Sequence, residues 1–428
     1  SFSIADTEEV WVMDLIGKGP DNKGIVWVAR RVPDGYICAH ANQARISTFP
    51  LNDPENCMYA PDVITFAREK GYFDGEDKDF SFCDAYAPLD FSGMRACEAR
   101  AWSAFNILCD GKFTFEDENG NIVTKDAYDY IDYAMGYDKT KRFPLFVKPS
   151  RKISVKDVAD VMRDHYEGTP MDMTQDIGAG GNALPYRWRP MGFEYDGKKY
   201  INERAIATQQ TGFWFVGQSR GWLPDTIGGV NWFGCDDAAT SYLTPIYTTT
   251  YDVPECFRVG NGDMITYSPT SAFWVTNRVA NACYKAYDMM APTVREAIDS
   301  WENEMIAAVA KADEEAHKMY NEAGRKPRKQ IKRNDKAQKV VDPYASVRNY
   351  LTEFSVGNAQ KIFNKWVDLE VLLLVKYIDG NVKAQNEDGS FVTNEHTDCI
   401  PSGIKQPGYT AKWKEAVAKD HGEVIMEK

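Results

Sequence analysis

The sequence predicts an α+β protein in which antiparallel sheets come first and a long helical part follows. Three observations lead to this class. Apolar and polar residues alternate in short runs before residue 50, the alternation returns between residues 204 and 250, and helical spacing dominates from residue 271 onward. Strands and helices thus occupy separate stretches, which is typical of layered α+β folds and not of alternating βαβ units.

The first sheet is predicted from three runs joined by strong turn formers. We expect strands over Glu9–Ile16, Gly24–Arg30 and Tyr36–Ile46. Glycine, proline and aspartate fill both connections, which favours an antiparallel meander. The helices predicted next cover Asp62–Lys70, Gly93–Leu108 and Ser154–Tyr166. Ser154 is the expected N-cap of the third helix.

A second antiparallel sheet is predicted beyond residue 204. Its strands are expected over residues 205–216, 230–235 and 242–250. Helices follow over residues 271–290, 292–323 and 343–378, then an irregular connection over 380–408 and a short helix near 412–418. We therefore expect a sheet-bearing core over 1–270 with a helical insertion at about 55–170. A mainly helical part over 271–428 packs on that core within the same catalytic unit.

Composition describes an ordered globular chain and excludes two classes of partner. The 428 residues are 43% hydrophobic and 13% aromatic, which suffices for a large core. A formal charge of -13 disfavours nucleic-acid binding, and the one basic run, Arg325–Arg333, receives no function. The longest apolar run, Val371–Val375, is too short to span a membrane.

Nine cysteines and five histidines form no metal-binding pattern. No two cysteines are spaced Cys-x-x-Cys, and pairing such as Cys57 with Cys83 is left open. The histidines are scattered, so a zinc site or a histidine triad has little support. His40 precedes Asn42 by two residues on a predicted strand, which puts both side chains on one face. The other four histidines are expected in solvent.

Two glycine-rich segments imitate catalytic motifs. Gly217–Gly221 fits the G-x-S-x-G pattern around Ser219, but loop residues follow where a nucleophile elbow requires a helix. Gly178–Gly181 lacks both the preceding strand and the lysine of a phosphate loop. We interpret both as turns.

A linked series of segments resembles the dipeptidases of peptidase family C69. The series includes SFSIAD at residues 1–6, EVWVMD at 9–14, WVARRVPDG at 27–35, HANQARI at 40–46, DIGAG at 176–180, PYR at 185–187 and SAFWVTNRV at 271–279. It extends over essentially the whole chain.

The resemblance implies an αββα sandwich of the N-terminal-nucleophile hydrolases. In such enzymes the thiol of an N-terminal cysteine attacks an amide carbonyl and its own α-amino group acts as base, with no metal and no organic cofactor. An α-amine titrates near pH 8, so it can accept the thiol proton without a histidine. In the family the cysteine precedes the SFSIAD segment. We therefore expect the 1–270 core to be incomplete and the nucleophile to lie in a missing N-terminal segment, and Ser1 is a weaker substitute.

The resemblance also directs attention to four site residues. Asn42 is the expected catalytic residue, as the oxyanion donor placed on the corresponding strand of related hydrolases. Arg45 could bind a substrate carboxylate, although a regular strand would point it away from Asn42. Asp176 and Arg278 are further substrate-binding candidates.

The predicted function is cleavage of short peptides through an acyl-cysteine intermediate. Two alternatives remain: a non-catalytic partner or scaffold subunit, and an amidase of the same fold acting on bile salts or penicillins. The family resemblance implies a bacterial periplasmic or secreted location. Assembly into a homo-oligomer is left open.

Overall fold

The computed structural model describes residues 1–325 and 342–427. The basic run predicted at Arg325–Arg333 falls, beyond Arg325, outside these residues. The chain divides into a first unit, Ser1–Met171 with Arg187–Ile206, and a second unit, Asp172–Tyr186 with Ala207–Lys428. Helices and small antiparallel sheets occur in both units, which confirms the predicted α+β class. The predicted boundary near residue 270 stays a prediction.

Short strands and short helices build the first unit. Its strands are β1 (Phe2–Ala5), β2 (Val10–Gly17), β3 (Ile25–Arg31), β4 (Ile37–Cys38), β5 (Cys57–Tyr59), β6 (Lys112–Glu116), β7 (Ile122–Asp126), β8 (Phe146–Val147), β9 (Gly192–Tyr195) and β10 (Lys198–Ile201). Its helices are α1 (Val63–Glu69), α2 (Phe82–Tyr86), α3 (Phe91–Gly93), α4 (Ala99–Leu108), α5 (Ile131–Ala134) and α6 (Val155–Met162).

Two predicted helices of this unit are confirmed, and the second has the N-cap residue that the sequence predicts. α3, a π-helical stretch over Met94–Glu98 and α4 follow one another from residue 91 to 108, close to the predicted Gly93–Leu108. α6 begins after Ser154, whose hydroxyl accepts from the Asp157 N–H while the Asp157 carboxylate accepts from the Ser154 N–H. This reciprocal pair satisfies two N–H groups that a helix start otherwise leaves open.

The main sheet of the first unit is antiparallel, in the order β1-β2-β3-β5. Alternation puts Val12, Val26 and Val28 on one face, where they join a buried cluster with Val63 and Phe66 of α1. The opposite face carries a row across all four strands, Phe2, Met13, Ala29 and Met58. Phe2 and Met58 at the ends of this row are 57% and 46% exposed. One face of the sheet is thus covered and the other is apolar but partly open.

The third predicted strand, Tyr36–Ile46, is wrong beyond its first residues. Only β4 is extended, and it pairs with β8, while β5 takes the place next to β3. The carboxylate of Asp14 accepts the backbone N–H groups of Arg45, at 2.7 Å, and Ile46, at 2.9 Å. Because these N–H groups bond to a side chain, they make no sheet ladder, and the segment from Ala39 to Ile46 is a loop.

Long helices dominate the second unit. Its strands are β11 (Phe213–Ser219), β12 (Gly229–Cys235), β13 (Thr244–Tyr247), β14 (Thr393–Asn394) and β15 (Thr397–Pro401). Its helices are α7 (Asp225–Gly228), α8 (Ala272–Cys283), α9 (Tyr287–Arg325), α10 (Ala345–Tyr377) and α11 (Ala411–Ile425). The predicted second sheet and long helices are confirmed, except that the first strand, predicted over residues 205–216, begins only at Phe213 and continues to Ser219. The stretch 380–408 holds a small hairpin that the sequence did not predict.

The sheet of the second unit runs β11-β12-β13, again with unequal faces. Trp214, Val216 and Trp232 on one face are buried, and α9 and α10 pack against β13. Phe213 and Phe215 on the other face are 62% and 55% exposed. Ser219 ends β11 opposite Gly229, and the chain then turns through a loop before the four residues of α7, so the predicted hairpin connection holds.

α9 buries one narrow stripe along its length. The buried apolar side chains of this stripe are Met290, Val294, Ile298, Trp301, Met305, Val309, Ala312 and Ala316. Their spacings of three and four residues follow the turn of an α-helix, so they stay on one side. Trp301 also donates its indole N–H to the Leu243 carbonyl at 3.0 Å.

Among the histidines whose exposure the structure describes, one departs from the prediction, and the side chain of His421 lies outside that description. All nine cysteines are free thiols, and Cys57 and Cys83 are both buried. His165, expected in solvent, is only 1% exposed, and its Nδ1 lies 3.0 Å from the Glu167 carboxylate. Its isolation in the sequence gave no sign of this burial. Among the described residues, no helix is both long enough and apolar enough to cross a membrane.

Candidate functional site

Asn42 occupies an exposed turn of the first unit, not a strand. Its φ of 59° is left-handed, a conformation that asparagine tolerates better than most residues. The alternation that put His40 and Asn42 on one strand face therefore does not apply. The Asn42 Oδ1 accepts from Arg100 Nη2 at 2.9 Å. A guanidinium only donates, so the amide oxygen must face Arg100 and the amide NH₂ is the free end.

Asp14 is a buried carboxylate that accepts hydrogen bonds from the chain just after this turn. It is 1% exposed, and one carboxylate oxygen accepts both backbone N–H groups at Arg45 and Ile46. The other oxygen accepts from the Ser1 hydroxyl. A buried carboxylate with these donors fixes where the chain reverses after Asn42.

His40 and Ser3 lie beside the same carboxylate. The Nε2 of His40 is 3.3 Å from the Ser3 hydroxyl. Burial lowers the pKa of His40 more than the nearby Asp14 carboxylate raises it, and Arg45 lowers it further. The imidazole is therefore neutral at pH 7, able to accept or donate one hydrogen bond but not to supply a positive charge.

Arg45 is buried and fully engaged by protein acceptors. Its Nε donates to Glu98 at 3.1 Å, its Nη1 to the Ala39 carbonyl at 2.9 Å, and its Nη2 to the carbonyls of Phe143 and Pro144. The guanidinium carbon also lies 4.3 Å from the centre of the Phe143 ring. All three nitrogens thus serve the protein, which favours a structural role over the predicted binding of a substrate carboxylate.

Arg278 lines a cavity of about 980 Å³ in the second unit. It forms an ion pair with Glu370 and donates to the Tyr267 hydroxyl at 2.5 Å. Lys285 and Tyr377 contribute to the same wall, and Met289 and Leu373 make part of it apolar. The cavity suits a small amphipathic molecule, although Glu370 already neutralises Arg278.

Asp176 caps a short turn in the second unit. Its Oδ1 accepts from the Ala179 N–H at 3.0 Å, at the start of the 3₁₀ turn Ile177–Ala179. The residue also lines a cavity of about 560 Å³ with Gln175 and Lys412. Its visible role is to fix the glycine-rich turn. Asn42 and Arg45 therefore belong to one described cluster, whereas Arg278 and Asp176 line separate cavities of the other unit.

Seven of the nine thiols of this chain lie where burial disfavours the thiolate. Burial raises the pKa of seven, to about 11 or 12 in five of them; the seven are Cys38, Cys57, Cys83, Cys109, Cys235, Cys256 and Cys283. A thiol attacks as its thiolate, so these groups are inert at neutral pH. Across residues 1–325 and 342–427, no three metal-ligating side chains are grouped to hold an ion.

Sequence reasoning missed Asp14 and Arg100 as parts of the site. Asp14 did carry a signal, since an acidic residue inside an apolar strand run must find buried donors. Arg100 carried none, because it lies on a predicted helix 58 residues from its partner Asn42.

Comparison with known proteins gives a family-level match. A sequence profile described as peptidase family C69 matches residues 1–300. A probable dipeptidase of Latilactobacillus sakei is 24% identical over 316 residues, which are 73% of this chain and 56% of that protein. Dipeptidase A of Lactobacillus helveticus is 22% identical over 370 residues, 86% of this chain and 64% of that protein.

A third relative extends the match beyond lactic acid bacteria. A probable dipeptidase of Salmonella dublin is 25% identical over 248 residues, 58% of this chain and 46% of that protein. The chain spans about half the length of the curated relatives it matches.

Proposed function

The chain belongs to peptidase family C69, and from this premise we propose that it is part of a thiol-dependent dipeptidase acting on short peptides. The observation that carries the proposal is the match of residues 1–300 to the family, together with the similarity to proteins named dipeptidases. The exposed amide of Asn42, held by Arg100, supplies a chemical group that such a reaction needs.

The fold proposed with this function is the αββα sandwich of N-terminal-nucleophile hydrolases. Each unit, taken alone, has a sheet with one face buried and the other apolar and partly exposed. The exposed ends of the open faces carry Phe2 and Met58 in one unit and Phe213 and Phe215 in the other. A helix-covered sheet with a bare apolar face has the layer order that one half of such a sandwich requires.

The proposed reaction is acyl transfer through a cysteine. A thiolate attacks the scissile carbonyl carbon, and the carbonyl oxygen takes up the negative charge of a tetrahedral intermediate. Collapse breaks the C–N bond, the leaving amine takes a proton, and an acyl-cysteine remains. Water then adds to the acyl group, and release of the acid regenerates the thiol.

Asn42 is proposed to stabilise the oxyanion. Its Oδ1 is fixed by Arg100, so Nδ2 is turned away from the helix, and no acceptor lies within hydrogen-bond distance of it in the described part of the chain. An amide donor that is already oriented stabilises a developing charge without reorganising.

The attacking thiol is proposed to lie outside residues 1–428, in a further segment of the same protein. Support comes from the thiols within the chain, because burial raises the pKa of seven of nine. A nucleophilic cysteine needs the opposite environment, one that lowers its pKa.

The function is tested on native protein whose mass and N-terminal sequence have been determined. We expect it to release free amino acids from dipeptides, to lose activity after alkylation by iodoacetamide, and to keep it in a chelator. Hydrolysis of acyl amides such as penicillin V without dipeptide turnover would replace the peptidase with an amidase. Absence of turnover on both substrate classes would leave a non-catalytic partner subunit.

Asn42 has its own test, with an isosteric variant. Asn42→Asp keeps an oxygen for Arg100 but removes the amide N–H, so kcat should fall by about 10²- to 10³-fold, with KM little changed. Asn119→Ala is the matched control, since this asparagine is exposed in the β6–β7 turn. An Asn42→Asp enzyme as fast as the control would remove Asn42 from the mechanism.

A further inference from the structure

Arg100 is a cation that has no anionic partner in the part of the chain that the structure describes. It lies on α4, where its Nε donates to the Ala96 carbonyl at 2.8 Å and its Nη2 to the Ala41 carbonyl and to Asn42. These acceptors are neutral, and within residues 1–325 and 342–427 no carboxylate forms an ion pair with Arg100. Its Nη1 remains available to a ligand.

Arg204 is a second cation of the first unit that has no anionic partner among the described residues. Its backbone is held firmly, because the Tyr166 hydroxyl donates to its carbonyl oxygen at 2.6 Å and the preceding Glu203 is paired with Arg95. Its guanidinium makes no hydrogen bond or ion pair with any described residue. Since Glu203 is committed to Arg95, the local carboxylate does not neutralise Arg204.

The positive charge of Arg100 acts on the nearby guanidinium of Arg204. Arg95 and Arg100 lie five residues apart on the continuous helical stretch 91–108, so the Arg95–Glu203 ion pair brings the 203–204 segment to the helix that carries Arg100. Burial lowers the pKa of Arg204, and the positive charges of Arg100 and Arg189 lower it further. Half-buried guanidinium groups without a counter-ion form a site for a planar anion, above all a carboxylate.

We propose that Arg100 and Arg204 bind the free α-carboxylate of the peptide substrate, next to the scissile bond held at Asn42. The inference rests on the proposed dipeptidase function and adds a requirement on the substrate. Arg100 contacts Asn42 directly, so the carboxylate site and the oxyanion donor adjoin. Neighbouring α-carbons are about 3.8 Å apart, so only a scissile bond before the last residue puts its carbonyl and the terminal carboxylate this close.

The assay compares a dipeptide with its C-terminal amide, which has the same shape but no negative charge. For Arg204→Ala we expect KM for the dipeptide to rise by about tenfold to a hundredfold, the loss of one or two charge-assisted hydrogen bonds. KM for the amide should stay within about twofold. Arg204→Lys should recover part of the loss. Arg68→Ala, which removes an exposed arginine paired with Asp77, is the control expected to change neither substrate.

Equal losses on dipeptide and amide would overturn the carboxylate site and give Arg204 a structural role, which thermal unfolding of the variant would also reveal. A binding measurement separates this failure from failure of the proposed function. Calorimetry with a dipeptide analogue whose amide is reduced to CH₂–NH should detect binding that Arg204→Ala weakens about tenfold. Such binding without any peptide turnover would keep the site and reject the dipeptidase, whereas turnover with binding insensitive to Arg204 would do the reverse.

Discussion

Two regions of the molecule bury charged side chains and treat them in opposite ways. In the first unit, Arg45 meets Glu98, and both side chains are 2% exposed. In the second unit, Asp236 and Asp237 are adjacent, 1% and 0% exposed, and meet no cation within the described residues. One region thus pairs opposite charges and the other places like charges together.

The donors around the aspartate pair are all uncharged. The Asn277 amide donates to both oxygens of Asp236, at 3.2 and 3.3 Å, and the Tyr284 hydroxyl donates to Asp237 at 3.0 Å. Burial and, as a smaller cause, the charge of Asp237 raise the pKa of Asp236 to about 7. The comparison teaches that a buried carboxyl group with no cation beside it holds its proton to a higher pH, because burial disfavours the charged form and a neighbouring negative charge adds to that effect.

The largest expected effect comes from breaking the opposite-charge pair. Arg45→Met should lower the free energy of unfolding by about 3 to 5 kcal/mol, because Glu98 would remain buried with the Tyr133 hydroxyl as its only donor among the described residues. Urea unfolding followed by tryptophan fluorescence measures this change in the free energy of unfolding.

Two further variants sharpen this test. Arg68→Met, which breaks an exposed ion pair with Asp77, should cost no more than about 1 kcal/mol. The double variant Arg45→Met with Glu98→Gln should recover part of the loss, since it removes the unpaired charge. If Arg45→Met were no worse than Arg68→Met, Arg45 would not support the fold.

A smaller effect, with a pH signature, is expected at the like-charge pair. The folded protein holds the Asp236 proton up to about pH 7, whereas an unfolded aspartate loses it near pH 4. The folded state binds more protons in this window, so the contribution of Asp236 to stability falls as pH rises through it. Asp236→Asn should therefore stabilise the protein by about 2 to 3 kcal/mol at pH 8 and have little effect below pH 4.

Unfolding free energies at pH 4, 6 and 8 measure this difference. Asp21→Asn, which neutralises an exposed aspartate, should show no such trend. If Asp236→Asn raised the free energy of unfolding by the same amount at all three pH values, Asp236 would not hold a proton in the folded state.

The smallest effect is expected for Asp14→Asn, because an amide can keep the main contacts of Asp14. One oxygen of Asp14 accepts both backbone N–H groups, and the other accepts from the Ser1 hydroxyl. In Asp14→Asn the amide oxygen can take the first place and the NH₂ can donate to Ser1, so we expect a loss of only about 1 kcal/mol. Asp14→Ala leaves two buried N–H groups open and should cost about 3 kcal/mol in denaturant unfolding. Equal losses would mean that these N–H groups have other acceptors.

Local pattern predicted most of the fold and little of the site. Alternation was enough for β2, β3 and β12, because each strand has one buried face that only one register satisfies. It failed after Cys38, where the outcome depends on a carboxylate more than thirty residues earlier in the chain. No window of neighbouring residues contains that information.

The site residues divide in the same way. Asn42 was predicted from a family resemblance, and the turn that presents it, with its left-handed φ, was not. Arg45 was proposed as a ligand because it follows Asn42 closely, yet its acceptors at Glu98, Phe143 and Pro144 come from distant segments. Arg100 and Arg204 are more than a hundred residues apart, so only the tertiary structure could show both as unpaired cations.

The buried stripe of α9 has a consequence for how this helix can vary. Val294 and Ala312 are eighteen residues apart, which is five full turns of an ideal helix, so they lie directly in line about 27 Å apart. The buried stripe therefore keeps to one side of α9 without the strict seven-residue repeat that imposes a left-handed supercoil. Substitutions on the solvent side of α9 do not change the positions of the buried side chains around the helix axis. A single inserted residue would rotate every later side chain by about 100° and turn the stripe outward from that point.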